Sequence, residues 1–334
     1  MAKNRAQRIV RSPNYKQGSF QNISLTPVMA EDASYYKVLK EAIKRPASVR
    51  PRKKLPSVKT DLHSLHSEKP VIVWFGHSSY FIKVGDTNIL VDPVLSGHAS
   101  PFKFMVKAFE GTDIYETEDF PPIDIMLITH NHYDHLDKKI MQKMMPATKA
   151  FYTSLGVGED LEKCGIDPEA IHELDWWESI EVGNDIKISA TPARHFSGRG
   201  LKRGGSLWSS FVLQIKGYKI YVGGDSGYDE HFKKIGEKFG PFDIAMVECG
   251  QYNPAWPYIH MMPEQTVQAA VDLNTKLLLP VHWGKFALAN HPWNEPIQRA
   301  LKAAKEKHMN ITTPMIGEPV MIGEDYPKSE WWKR

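Results

Sequence analysis

Residues 129–137, THNHYDHLD, follow directly on the apolar run IDIMLI. Three histidines and two aspartates within nine positions are costly to place where a buried strand ends. Such a cluster is either a solvated loop or the holder of something charged. Imidazole and carboxylate are good ligands for zinc, iron or manganese. Partial desolvation of His130, His132, Asp134 and His135 is offset when a cation sits among them. The residue types and their spacing therefore predict a metal site at a strand terminus, the place where α/β proteins usually build their sites.

The rest of the chain supplies the sheets that such a site needs. From Val71 the texture becomes an alternation of short apolar strands and helices. VIVWF reads as a strand, and SYFIKVGDTNILVDP as a hairpin around a GD turn that runs out at Asp92. SFVLQIKGYKIYVGGDSG repeats the idea: strand, KG turn, strand, then Asp225. The two stretches read as halves of a weak internal duplication. Around them lie the strands IDIMLI, KAFYTS, DIKISATPA, FDIAMVE, KLLLPVHW and PVMIG. Helices are predicted at LDKKIMQKMM, VGEDLEKCG, HFKKIGEKFG, PEQTVQAAVDLN and EPIQRALKAAKEK. Alternation of this kind, with sheets that must be covered on their outer faces, predicts an α/β or layered α+β architecture rather than an all-β barrel. Three more polar residues fall at strand ends: His195 in TPARHFSGRG, Asp225 in VGGDSG and His282 in LPVHWG.

The first 70 residues read differently. Residues 1–30 have turn residues and little periodicity, and are expected to form an extended arm. Residues 31–44 predict a short helix with Tyr36, Val38, Leu39, Ala42 and Ile43 near one face. Residues 44–59 hold three prolines, many basic residues and no acid. They read as a solvated linker, or as a patch that meets anionic lipid at roughly 1 kcal/mol per basic residue near the surface. The division expected is a 1–70 arm, helix and linker, followed by a catalytic domain over 71–334.

Composition limits the partners. An apolar fraction of 42% and a charged fraction of 24% are those of a globular protein, and a net charge of +3 implies no dominant electrostatic partner. No nucleic acid is expected, because there is no strong basic groove or tail. Two cysteines, Cys164 and Cys249, exclude a disulfide framework and read as buried thiols. The polar, basic N-terminus has no apolar core of a signal peptide, and no apolar run approaches the ~20 residues of a membrane helix. The expectation is a cytoplasmic protein, peripheral at a membrane if residues 44–59 serve as the contact. A homo-oligomer is compatible with the sequence.

The set His130, His132, Asp134, His135, His195, Asp225 and His282 resembles the metallo-β-lactamase fold superfamily, whose pattern is HxHxDH, then His, Asp and His, each at a strand end. The resemblance spans about Val71 to Gly323 and implies a four-layer αβ/βα sandwich with metals at one edge. It implies that His130, His132 and His195 hold one metal, that Asp134, His135 and His282 hold a second, and that Asp225 bridges them. Two Zn²⁺ per chain are implied, with Mn²⁺ or Fe²⁺ as alternatives. WFGHSSYFIKVGDTNILVDPVLSGHASP, PARHFSGRGL, GGDSGY, GPFDIAMVECGQYNPAW, HMMPEQTV and HWGKFALANHPWNEP further resemble the subgroup containing the N-acyl-phosphatidylethanolamine-hydrolysing phospholipase D and its bacterial relatives. The implied reaction is zinc-assisted phosphodiester hydrolysis, in which water attacks phosphorus. An N-acylethanolamine leaves and phosphatidic acid remains.

The same resemblance implies individual roles. Asp134 would orient the attacking hydroxide and accept its proton, and His260 would face the substrate phosphate. His77 and Asp92 would support the ligands from behind. Trp256, Tyr258, Phe286 and Trp293 would line an acyl pocket. Two alternatives keep the fold: a metal-dependent lactonase or small-molecule phosphodiesterase or ester hydrolase, and a metal-stabilised binding module without turnover. A di-iron redox protein fits less well, since His132 stands where such relatives usually place a carboxylate.

Overall fold

The computed structural model describes residues 2–31, 33–34, 36, 38, 40–41, 44–200 and 203–333. The N-terminal region departs from expectation. It opens with a helix, α1 (Ala2–Arg11), followed by a two-stranded hairpin of β1 (Tyr15–Lys16) and β2 (Ser19–Phe20). The residues of α1 include no acid, so nothing in the segment itself announces its partner. That partner is a pair of distant glutamates: the Arg5 guanidinium reaches Glu173 at 2.5 Å and Glu162 at 2.6 Å. Of the helix expected over 31–44, Tyr36, Val38, Lys40 and Glu41 are helical, while Leu39, Ala42 and Ile43 lie outside the described residues.

Residues 44–59 are no free linker. Val49 and Leu55 are buried in the main core. Arg45 donates to the carbonyls of Ala287 and Leu288, and Arg50 to that of Lys107. Apolar side chains between the basic residues fasten the stretch down as a strap and leave Arg52, Lys53 and Lys54 exposed.

Two mixed sheets make the body. The first contains β3 (Val71–Trp74), β4 (Tyr80–Val84), β5 (Thr87–Val91), β6 (Ile123–Ile128), β7 (Thr148–Ser154) and β8 (Ile171–Leu174). The second contains β9 (Ser179–Val182), β10 (Ile186–Pro192), β11 (Ser209–Ile215), β12 (Tyr218–Val222), β13 (Ile244–Glu248) and β14 (Leu278–Val281). β15 (Pro319–Met321) returns to the first sheet beside β3. The orders are β15-β3-β4-β5-β6-β7-β8 and β14-β13-β12-β11-β10-β9. β8 and β9 are absent from the sequence reading, because IHEL and SIEV are short, half-polar edge segments.

The duplication is real at the level of topology. In each sheet a tight hairpin, β4–β5 or β11–β12, ends in a strand that begins a parallel run. At the second hairpin Lys216 and Gly217 both take positive φ, as a type I′ two-residue turn demands.

Strand periodicity sorts the layers. Along β5 and β6, Ile89, Val91, Ile125 and Leu127 enter the core between the sheets. Their neighbours Leu90, Met126 and Ile128 point the other way, into a second core. There they meet Ile140 and Met141 of α2 (Lys138–Met144) and Leu161 of α3 (Gly158–Glu162). α4 (His231–Phe239), α5 (Pro263–Asp272) and α6 (Glu295–Glu306) supply buried side chains on the second sheet's side. Helices outside, sheets inside: this is the four-layer αβ/βα sandwich. No helix among the described residues is long and apolar enough to cross a membrane.

Candidate metal centre

One edge of both sheets gathers the polar strand ends. Asp92 follows β5, and His130, His132, Asp134 and His135 lie on the turn after β6. His195 comes three residues after β10, Asp225 three after β12, and His282 directly after β14. Asp137, the last residue of THNHYDHLD, is set apart: its carboxylate caps α2, accepting from the Lys139 and Ile140 amides. Asp225 can approach only because the chain before it is bare. A Cβ on Gly224 would stand 2.5 Å from the Ser209 carbonyl oxygen.

Ligand-type atoms converge within 4.8 Å in two groups that share no residue, His130, His132, His195 and Asp225, and His77, Asp134, His135 and His282, and in a third, Asp225, Glu248, His260 and His282, that joins them. In the first, His132 Nδ1 lies 2.9 Å from His130 Nε2 and 3.2 Å from His195 Nε2. Tetrahedral nitrogen ligands at ~2.05 Å from zinc stand about 3.3 Å apart, close to these separations. Asp225 faces both groups. Its Oδ2 is 3.8 Å from His130 Nε2 and 3.7 Å from His195 Nε2, while its Oδ1 is 3.1 Å from His135 Nε2 and 3.1 Å from His282 Nδ1. The set fits divalent cations on a further observation. His135 Nε2, His282 Nε2 and Asp225 Oδ1 are buried without a hydrogen-bond partner. Buried polar atoms are almost always satisfied, and a cation among these three removes the deficit.

Supporting contacts aim the rings. Asp92 accepts from His135 Nδ1 at 2.7 Å and is itself held by the Thr129 amide and hydroxyl. That bond leaves His135 Nε2 free toward the cluster. The Ile259 carbonyl does the same for His195, accepting from Nδ1 at 2.8 Å. His77 donates from Nε2 to Asp134 at 2.9 Å, and the backbones of His77 and His282 are joined by the His282 amide and the His77 carbonyl. His77, Asp92, Gln251 and His282 all have left-handed backbones, a strain that collects at functional sites.

Burial lowers the pKa of His130, His195 and His282 well below the ordinary imidazole value, and brings His132 to about 4. These rings are neutral at pH 7, the form that binds metal. Burial pushes the Asp225 carboxyl up, but the His135 imidazole outweighs it and holds the group down at about 2. Asp134 is lower still, since His135 and His77 overcome its burial.

The cluster opens into a cavity of about 210 Å³. His132, Asp134, His195, Asp225 and His260 form its polar floor, with Phe196, Trp256, Ile259 and Leu288 as apolar walls. Of the four aromatics expected to line a pocket, Trp256 does so. The other three need correction. Tyr258 lies under the Arg194 guanidinium at 4.6 Å, Phe286 is buried against His77, and Trp293 packs on Phe109 and Trp331. Tyr258 finds a cationic neighbour and Trp293 apolar ones, while Phe286 packs against His77 of the cluster itself, and none of the three lines the cavity. Cys249 is fully buried and its thiol is pushed up by burial, as a packing residue should be.

Sequence reasoning missed Glu248 and Arg199. Glu248, at the end of β13, is buried and accepts from His260 Nδ1 at 2.9 Å and from the Met261 amide. Burial lowers and this carboxylate raises the pKa of His260, and the carboxylate prevails. Arg199 donates to the carbonyls of Asn131 and Leu136, tying both ends of the histidine turn. A lone Glu ending an apolar strand and an Arg in a glycine-rich loop carry no signal until the fold brings them here.

The sequence pattern of the family described as the Beta-lactamase superfamily domain matches residues 87–283, more than half of the chain. The chain belongs to the β-lactamase superfamily of metal-dependent hydrolases. An uncharacterized protein of Mycobacterium tuberculosis is 35% identical over 96% of this chain and 88% of its own length. N-acyl-phosphatidylethanolamine-hydrolyzing phospholipase D 1 of Caenorhabditis elegans is 31% identical over 70% of this chain and 69% of its own. The mitochondrial enzyme of that name from Saccharomyces cerevisiae is 34% identical over 68% of this chain, which spans half of the yeast protein's length. Among solved structures, the metallo-hydrolase Igni18 from Ignicoccus hospitalis shares the fold, with a TM-score of 0.60 at 20% identity over 77% of this chain and 100% of that one.

Proposed function

We propose that this metallo-β-lactamase-fold protein is a dinuclear zinc phosphodiesterase of the phospholipase D kind, converting an N-acyl-phosphatidylethanolamine into phosphatidic acid and an N-acylethanolamine. The observation that carries the reading is the pairing of the seven-residue ligand-type cluster with relatives of that named activity over some 70% of the chain. His130, His132 and His195 would hold one cation, Asp134, His135 and His282 the other, with Asp225 between them. Two such cations would supply a water of lowered pKa and screen the charge on a phosphodiester. The protein's own groups do the rest. Asp134 is ionised and held by His77, so it can orient the attacking water. His260, whose pKa the Glu248 carboxylate raises, can donate from Nε2 to a phosphate oxygen or to the departing alkoxide.

The cavity accommodates a headgroup but not acyl chains, which must remain outside it. The rim suits them. Phe102 and Phe104 are stacked at 5.8 Å and exposed, Met105 is exposed beside them, and Lys103 and Lys107 flank the pair. The strap lies alongside through Arg50 and Leu55, offering Arg52, Lys53 and Lys54 to anionic lipid. We place a peripheral contact with the cytoplasmic membrane surface there.

The test is mass spectrometry of products from vesicles of N-acyl-phosphatidylethanolamine, with and without anionic lipid, using zinc-loaded protein and a chelated control. Metal-dependent appearance of both products, faster on anionic vesicles, is the expected result. No product from protein holding about two metals per chain would move the assignment to a soluble phosphodiester, the reading that the small cavity favours.

Glu248→Gln gives a second check. The amide cannot stabilise a His260 imidazolium, so the His260 pKa should fall. The alkaline limb of the kcat profile should then move to lower pH, with kcat down about 10- to 100-fold. An unchanged profile would remove His260 from the acid role.

A further inference from the structure

The matched family region begins at residue 87, yet one of the ligand histidines is held from far outside it. His195 sits past the end of β10, where the chain leaves the sheet and enters the loop toward β11. Its backbone has no strand beside it. The Asn22 side chain takes that place: Nδ2 donates to the His195 carbonyl at 2.7 Å, and Oδ1 accepts from the His195 amide at 3.0 Å. The same Oδ1 accepts from Trp208 Nε1 at 3.2 Å. A carboxamide carries a donor and an acceptor side by side, so one side chain reproduces the paired bonds of a β-bridge. Asp lacks the donor, Leu lacks both, and Gln is longer by a methylene.

The chain on either side of Asn22 is anchored. Phe20 is buried among Leu155, Trp176, Leu207 and Trp208, and its amide donates to the Gly204 carbonyl. Beyond it, the Arg194 guanidinium donates to Thr26 Oγ1 and to the Leu25 carbonyl. Asn22 is thus clamped between two fixed points and presses on a residue whose ring is aimed by a second clamp, the Ile259 carbonyl at Nδ1. Backbone and ring of His195 are each fastened, from opposite ends of the chain.

We propose that Asn22 is a positioning residue of the metal centre, fixing the His195 backbone so that Nε2 stays on the first cation. The N-terminal segment is then part of the centre rather than an appendage to it. The proposal rests on the reading of His195 as a ligand.

The experiment is the rate of zinc transfer from the holoprotein to an excess of a chromogenic chelator, with the visible absorption of the cobalt-substituted protein as a second readout. His195→Ala, the reference, should lose zinc fastest. Asn22→Ala should release zinc about tenfold faster than the parent and alter the cobalt spectrum, the scale seen when supports of metal ligands are removed. Asn22→Asp, which keeps the two accepted bonds and loses the donated one, should fall between. Arg8→Ala loosens the same segment at α1, where Arg8 meets the Glu173 carbonyl and Glu178, without touching His195; it should leave zinc release unchanged. Parent-like release by both Asn22 variants would overturn the proposal. So would equal acceleration by Arg8→Ala, which would reduce Asn22 to general anchoring. Retention of zinc by His195→Ala would instead overturn the ligand reading beneath it.

Discussion

Asp225→Ala should abolish turnover and lower the metal content below two per chain. The loss in kcat should exceed the 10- to 100-fold typical of residues one step behind a metal. Among the described residues, the carboxylate is the only group whose two oxygens face both histidine groups, one at 3.1 Å from His135 and His282, the other at 3.7–3.8 Å from His195 and His130. Removing it leaves His130, His132 and His195 without a carboxylate, and leaves Asp134 as the one carboxylate of its own group. The measurement is metal analysis of dialysed protein together with hydrolysis of a soluble diester. Two tightly held metals and undiminished turnover in the variant would show that Asp225 does not bridge. The variant should stay folded, because the carboxylate makes no contact with the inter-sheet core.

Trp331→Ala should destabilise the fold by about 3–5 kcal/mol, the usual cost of deleting a buried indole. Trp331 is completely buried, although it lies three residues from the chain's last position. Its ring stacks on Trp283 at 5.3 Å, with Trp74 at 6.5 Å, and its Nε1 donates to the Pro314 carbonyl. Trp74 in turn donates to the His77 carbonyl, and Trp283 follows His282. The three indoles therefore form the floor beneath the His77–His282 pair. A urea titration should show a lower midpoint at an unchanged slope. A cost under about 1 kcal/mol would mean that the C-terminal segment detaches without disturbing the sheets.

Much of this protein is legible in its sequence, and the reason is local. IDIMLI, DIKISATP and PEQTVQAAVD carry their own periods, and the strands and helices form where those periods fall. The two hairpins are written in GD and KG turns, with Gly85 at positive φ in the first and Lys216 and Gly217 in the second. The histidine turn declares its chemistry because no other use of so many polar groups at a strand end is affordable.

What only tertiary structure decides is anything that depends on a partner far along the chain. The N-terminal segment looks like an arm because its cationic helix contains none of the acids that bind it. Glu162 and Glu173 supply them after more than 150 residues. The basic strap looks like a linker because the grooves that take Val49 and Leu55 belong to the folded domain. Tyr258, Phe286 and Trp293 are aromatic near the site in sequence, but a ring's direction is set by packing, and none of the three lines the cavity. Glu248 and Asn22 are ordinary in sequence and acquire meaning only through the histidines they touch. Periodicity and turn chemistry act over a few residues and can be read directly. Ion pairs, ring directions and backbone clamps join residues that only the closed sandwich brings within 3 Å.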